Sequence, residues 1–283
     1  MAVAEQARRT VSSTLENREF NQATVGACEP AVRPDVVGEL IRDWFDGQQV
    51  CEIVEREDAF VSVYGGPAAY FLPWKDWKSS ERRAVRYARG QVLDVGAGAG
   101  RVALELENRG RRVVAIDRSP LAVEVARARG VGDARVHELE RIDELDERFD
   151  SIVLFSAGLG LLGNRERAVA TLRAFGDITS ERGKVIASCT NPWLHRSPAS
   201  LSYYRENLRR GRLYGQLTIR IRYGNAASPW FDWLNASPEE VAVIAAEAGW
   251  RLARVIGAHE GTYSAVLCKR AGRTDGRPPV ISV

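Results

Sequence analysis

Residues 92–106 read VLDVGAGAGRVALEL: a short apolar strand, an acidic residue at Asp94, alternate glycines at Gly96, Gly98 and Gly100, then the spacing of an amphipathic helix. Glycine lets the backbone turn with positive φ and come closer to a ligand than a Cβ would allow. The helix that follows opens with N–H groups that have no partner of their own, so a polar ligand belongs on this loop. Working outward, RRVVAID at 111–117 is a second apolar run, ending on Asp117 seventeen residues beyond Gly100. An acidic side chain in that place accepts hydrogen bonds from both hydroxyls of a ribose. The two motifs together read as an adenosine site. The dinucleotide fingerprint G-x-G-x-x-G, counted from Gly96, requires glycine at 101, where the chain has Arg101; the spacing here is D-x-G-x-G-x-G.

Around this loop, from 91 to about 190, the runs VLDV, VVAI, ARVHE, SIVLF and KVIAS alternate with charged amphipathic segments. That is the pattern of a parallel sheet wrapped by helices. Further on, SPASLSYYRENLRR reads as helix, QLTIRIRY alternates with period two, and SPEEVAVIAAEAGW reads as a capped helix. RLARVIGA and YSAVLCKR are separated only by HEGT, too short for a parallel crossover, which predicts an antiparallel hairpin. Upstream, Val36, Val37, Leu40, Ile41, Trp44 and Phe45 trace one face of a helix with Pro34 in its first turn, and CEIVER and AFVSVY form a hairpin. The polar, aperiodic ends 1–33 and 271–283 read as loose.

Composition narrows the class. The chain has 283 residues, 45% hydrophobic and 27% charged, which excludes a disulfide knot and wholesale disorder. Forty Lys plus Arg against 37 Asp plus Glu leaves +3, too small an excess to imply a nucleic-acid or membrane partner. The four cysteines are far apart, with no Cys/His pair at ligand spacing, so no metal site is expected and reduced thiols fit best. No apolar run reaches the length of a membrane span, and a cytoplasmic location is expected.

LDVGAGAGR, VVAID, RFDSIVLF and the terminal hairpin together resemble the class I S-adenosylmethionine-dependent methyltransferases, over about residues 91–270. ERRAVRYARGQVLDVGAGAGRVAL, LLGNRERA, SPWFDWL and EAGWRLARV are similar to a bacterial branch whose acceptors are mostly unassigned. The resemblance implies a Rossmann-like α/β sheet of order 3-2-1-4-5-7-6 with the last strand antiparallel. Around it are expected an N-terminal cap at 1–90, an insertion at 191–236 after the fifth strand and a flexible tail at 271–283. S-adenosyl-L-methionine is the implied cofactor. Asp94 would hold its amino group directly or through water, Gly96, Gly98 and Gly100 would carry the backbone past it, and Asp117 would bind the ribose. Arg118, Glu138 and Leu139 would lie along the adenine, and Ser156 would face the methyl-donor end with Ala157 and Gly158. In this branch a polar pair is expected after the fourth strand, where the chain has Ser156 and Ala157.

The acceptor side rests on the residues. Loops after the fifth and sixth strands emerge at the carboxyl edge of the sheet, where ligands of open α/β folds lie. Segments 51–77 and 191–233 hold most of the aromatic residues, among them Tyr64, Tyr70, Trp74, Trp193 and Trp230, which suggests a lid over a small, flat or apolar acceptor. The other reading of these aromatics is a satellite core. His195 and His259 sit on the two acceptor-side loops and are the expected proton acceptors, with Asp232 and Glu260 as lesser candidates; His137 reads as structural. Arg220 and Arg222 alternate with apolar residues as on the solvated face of a strand. The expected function is methyl transfer to a small metabolite, a secondary metabolite being the narrower form. The alternatives are an RNA methyltransferase, a nicotinamide-dependent oxidoreductase and a non-catalytic module that binds the nucleoside cofactor. Oligomeric state is not legible.

Overall fold

A computed structural model describes residues 30–64, 67–194, 197–270 and 280–282. The described chain enters through β1 (Ala31–Val32) and α1 (Val36–Phe45), then the hairpin β2 (Glu52–Arg56) and β3 (Val61–Tyr64). Helix α1 starts after Pro34, because the Asp35 carboxylate caps it by accepting the Gly38 N–H. Two 3-10 turns, Pro67–Phe71 and Trp74–Asp76, lead into α2 (Ser79–Ala84).

The core then alternates β4 (Gln91–Val95), α3 (Arg101–Asn108), β5 (Arg112–Asp117), α4 (Pro120–Ala128), β6 (Ala134–Val136), β7 (Phe149–Leu154), α5 (Arg165–Ile178) and β8 (Thr179–Thr190). The insertion after β8 holds α6 (Pro198–Arg209), β9 (Gln216–Tyr223), β10 (Ala226–Ala227) and β11 (Phe231–Leu234). The chain returns to the core with α7 (Pro238–Glu247), β12 (Trp250–Ile256), β13 (Thr262–Lys269) and β14 (Val280–Ser282). Ser–Pro starts recur: Ser119, Ser197 and Ser237 cap α4, α6 and α7, each with proline in the first turn, and Ser237 closes a capping box with Glu240.

The large sheet runs β14-β12-β13-β8-β7-β4-β5-β6. Without β14 it is the expected order 3-2-1-4-5-7-6, and β13 lies antiparallel to both β8 and β12. Its central strands are covered on both faces, which is why they read as continuous apolar runs. Leu93, Ile152, Val185 and Leu267 face α5 and α7, whereas Val92, Val153, Ile186 and Val266 face α3 and the N-terminal segment. Two details differ from the sequence reading. The third core strand is only Ala134–Val136, and the turn before β13 spans residues 257–261 rather than HEGT alone. In the expected tail, residues 280–282 pair parallel with β12, Arg254 opposite Val280, an edge place that a short apolar VIS segment can fill.

A second sheet joins the N-terminal segment to the insertion. Strand β9 pairs antiparallel with β2 on one side and with β10 and β11 on the other, β3 extends it beyond β2, and β1 runs parallel to β10. Val54 and Ile221 of this sheet bury against Val36 and Val37 of α1. Helix α1 packs in turn on α4, so closely that a Cβ on Gly38 would overlap the Ser119 hydroxyl. Cap and insertion thus form one unit at the carboxyl edge of the large sheet. No helix among the described residues is long and apolar enough to cross a membrane.

Candidate active site

The glycine loop follows directly from the sequence: Gly96, Gly98 and Gly100 all have positive φ (68°, 53° and 76°), a region where an L side chain is strained. Each glycine also answers a close approach. A Cβ on Gly96 would come 2.5 Å from Leu161 Cδ1, one on Gly98 would come 3.1 Å from Tyr70 Cδ1, and one on Gly100 would run into Val131 and Ala126 behind the loop. Gly100 therefore packs the loop onto α4, and Gly96 and Gly98 leave room for Leu161 and Tyr70.

Asp94, next to last in β4, is almost fully buried. The Ala103 N–H in the first turn of α3 bonds to its carboxylate, yet Oδ2 is buried with no hydrogen-bond partner among the described residues. Burial pushes its pKa up to about 7, against the pull of the Arg101 guanidinium. Such an oxygen is costly to bury and is satisfied by a cationic or N–H-bearing ligand group. Asp117 ends β5 with Oδ2 accepting the Gly98 N–H at 2.8 Å and Oδ1 accepting the Ser119 N–H at 2.9 Å. Burial raises its pKa too, and these two N–H groups oppose the rise. The acid is thus fixed against the loop with lone pairs to spare.

Beyond β7, Ser156 and Ala157 both take left-handed conformations (φ 60° and 59°). Arg101 Nη2 donates to Ser156 Oγ at 2.6 Å and to Glu81 Oε2 at 3.1 Å. A cation in the first turn of a helix lies at the wrong end of the dipole, and the buried Glu81 from α2 compensates it. Sequence reading missed Glu81 and Arg101 as a pair: twenty residues separate them, and only the docking of α2 beside the loop brings them together.

Glu52 was missed as well. It shares the inward face of β2 with Val54, two residues on, and its charge and that of Asp117 add to burial in raising the Tyr70 phenol. Its own carboxyl is pushed up to about 7 by burial. In the sequence it is simply one of several charged residues in a hairpin strand.

The remaining candidates divide. Tyr70 lies on Gly98 beside Ile41 and Phe71. Arg118 and Glu138 are exposed and Leu139 is half-buried at the third-strand end, where His137 Nε2 meets the Arg141 carbonyl at 2.8 Å, a structural role. Trp74 packs edge-on to Trp77 with the Arg109 guanidinium over its ring, on the α3 side of the core. Trp193 stacks on Tyr214 at 3.9 Å, and Tyr214 with Tyr203 and Tyr204 forms the satellite core. Trp230 lies under the Arg220 guanidinium and is 44% exposed. Tyr64 ends β3 opposite Glu52 in register. His259 is exposed in the 257–261 turn, next to Glu260, which is paired with Arg83. His195 lies outside the described residues. Asp232 is held by Asn164 and Thr218 at 3.0 Å each.

Trp233 is the last of the aromatics in the 191–233 segment expected to form a lid. Trp233 lies so close to Gly160 that a Cβ there would overlap the indole, so β11 seats directly on the segment after β7. Five arginines of the insertion are partnered. Arg209 and Arg210 pair with Glu206, Arg212 with Glu57, and Arg220 and Arg222 with Glu55. Arg220 is 6% exposed, which corrects the expectation of a solvated face: the lid sheet buries it between Glu55 and Trp230.

Comparison with known proteins agrees with this geometry. Residues 92–183 match the profile of a family described as a methyltransferase domain. A SAM-dependent methyltransferase from Bacteroides fragilis, solved in complex with S-adenosyl-L-homocysteine, superposes with a TM-score of 0.70 at 28% identity, covering 86% of this chain and 99% of that one. The CcbJ methyltransferase from Streptomyces caelestis shares the fold at a TM-score of 0.52 and 17% identity, over 70% of this chain and 95% of its own. So does the PH0226 protein of Pyrococcus horikoshii, at 0.50 and 17%, over 67% and 88%. Sheet order, loop and acidic strand ends define a nucleoside-binding transferase fold. Residues 92–183 form a methyltransferase domain, and the fold is that of S-adenosylmethionine-dependent methyltransferases.

Proposed function

We propose that the chain holds S-adenosylmethionine across the carboxyl ends of β4, β5 and β7 and methylates a small acceptor with a flat or apolar body. The observation that carries this reading is Asp94 Oδ2, a buried oxygen without a partner among the described residues, at the head of a loop on which Leu161 and Tyr70 close over Gly96 and Gly98. The donor set fits the cofactor. Asp94 meets the ammonium, Asp117 the ribose hydroxyls, and Ser156 the sulfur-bearing end, with Arg118, Glu138 and Leu139 toward adenine. When bound, the cofactor supplies a methyl group on a sulfonium, displaced in line by the acceptor's lone pair. Alignment and exclusion of water supply much of the rate of such a step. Leu161 over Gly96 and Trp233 over Gly160 support a dry, apolar acceptor side. A secondary metabolite is the narrower form of this proposal.

Two described groups are the proposed proton acceptors. His259 lies on the turn at the carboxyl edge, and Glu52 is on the inward face of the lid sheet with a pKa of about 7, suited to a base at neutral pH. His195 is proposed on its place in the same edge of the chain. The deciding experiment is calorimetry with S-adenosylhomocysteine and with NAD. Binding of the first and not the second is expected, and Asp117→Ala should weaken it by about 1.5–3 kcal/mol through loss of charge-assisted hydrogen bonds. Unchanged affinity in that variant would sink the assignment.

A further inference from the structure

We propose that Glu81, in the N-terminal segment, is a positioning residue that holds the Ser156–Ala157 turn in the shape methyl transfer requires. The inference rests on the reading that this turn faces the methyl-donor end of the cofactor. Two consecutive non-glycine residues at φ 60° and 59° are strained, and a serine and an alanine have no local means to relieve that strain. Something outside the turn must hold it.

The Gly158 N–H closes the turn on the Phe155 carbonyl at 3.1 Å, and the side-chain hydrogen bonds that hold the turn lead to Glu81. Its Oε1 accepts the Ser156 N–H at 2.7 Å and the Ser188 hydroxyl at 2.9 Å, and Ser188 Oγ in turn accepts the Ala157 N–H at 2.8 Å. Its Oε2 accepts from Arg101 Nη2, which also donates to Ser156 Oγ. Glu81, Arg101 and Ser188 are 2%, 7% and 0% exposed, so water does not substitute for these bonds. The Arg101 guanidinium is fixed from its other side by the Trp77 ring, 4.1 Å away.

Only a carboxylate meets all these demands, because it accepts on both oxygens. A glutamine would turn an NH₂ group toward either Arg101 or the two donors at Oε1. The arrangement also sets the polarity of Ser156. With the guanidinium occupying a lone pair of Oγ, the hydroxyl hydrogen is directed away from Arg101, and the residue is exposed on the ligand side. Arg101 directly follows Gly100, so one buried ion pair locks the post-β7 turn to the glycine loop and makes both depend on the docking of α2.

The test is a mutant cycle read by calorimetry with S-adenosylhomocysteine, each protein checked by thermal melting. Glu81→Gln and Ser188→Ala are made in the parent and in an Ala157→Gly background, where glycine takes the left-handed conformation without strain. In the parent background the two changes should weaken binding about 10-fold and about threefold; with glycine at 157 each loss should shrink to about half on a logarithmic scale, because contacting sites couple. Should Glu81→Gln fail to fold, Ser188→Ala, which leaves the ion pair intact, decides. Variants that melt earlier yet bind like the parent would show Glu81 to be merely structural and overturn the proposal. Losses equal in both backgrounds would overturn it as well. A parent chain that does not bind the ligand overturns the cofactor reading itself, before any variant is compared.

Discussion

Raising the pH from about 5.5 to about 7.5 should tighten binding of S-adenosylhomocysteine roughly 25-fold, through Asp94. Its carboxyl is pushed up to about 7 by burial, and Oδ2 has no protein partner among the described residues. The ligand-free carboxyl is then ionised to roughly 3% at the lower pH and roughly 75% at the higher, and an ammonium on Oδ2 selects the ionised form. The same shift enters stability with a definite sign. The folded pKa is raised, so the native chain keeps a proton that the unfolded chain releases. The contribution is present below about pH 3.8 and lost as pH rises through about 7, at a cost of about 4 kcal/mol to the ligand-free protein. Ligand should therefore raise the melting temperature more at the higher pH. Calorimetry in buffers of different ionisation heat reads the proton released on binding. Asp94→Asn keeps the size and an acceptor for the Ala103 N–H but no charge, so affinity at neutral pH should fall about 10- to 100-fold and most of the pH slope should vanish. Asp117, also raised by burial, contributes to the slope that remains. A parent protein whose affinity is flat across this range, or an Asn variant with the parent slope, would refute the role given to Oδ2.

Three further outcomes follow from the acceptor side. Glu52→Gln should remove an acid limb near pH 7 from the pH–rate profile, because the carboxylate, ionised only above its raised pKa, is the form that takes a proton; a limb that persists assigns the titration elsewhere. His259→Ala should lower kcat by about 10²- to 10⁴-fold if the imidazole is the base, with S-adenosylhomocysteine affinity nearly unchanged, and parent-like turnover would dismiss it. Gly160→Ala drives a methyl group into the Trp233 indole, so the lid strand should shift at a cost of about 1–3 kcal/mol in thermal unfolding, with acceptor turnover lost and cofactor affinity retained; an unaltered melting temperature would contradict the contact.

What the chain declares locally is the cofactor half of the site. Strand, glycine loop, helix and the acid at the next strand end are contiguous, and each obeys a short-range rule: positive φ at Gly96, Gly98 and Gly100, a donor-rich helix start, an acid after an apolar run. The alternation of such units in turn dictates a parallel sheet, and a gap too short for a crossover dictates the antiparallel β13. Aromatic richness, by contrast, says nothing of direction. Trp74, Trp193 and Trp230 are drawn onto Arg109, Tyr214 and Arg220, while Trp233 takes the place over Gly160 because β9 and β11 pair in one register and not another. Arg220 shows the same limit: period two marks two faces, but which face a sheet buries depends on what docks on it. Glu52, Glu81 and Arg101 acquire meaning only through contacts between segments far apart in the chain. Burial, which raises the Glu52 carboxyl and takes the Glu81–Arg101 pair out of water, is a property of the packed whole and has no counterpart in any short stretch of sequence.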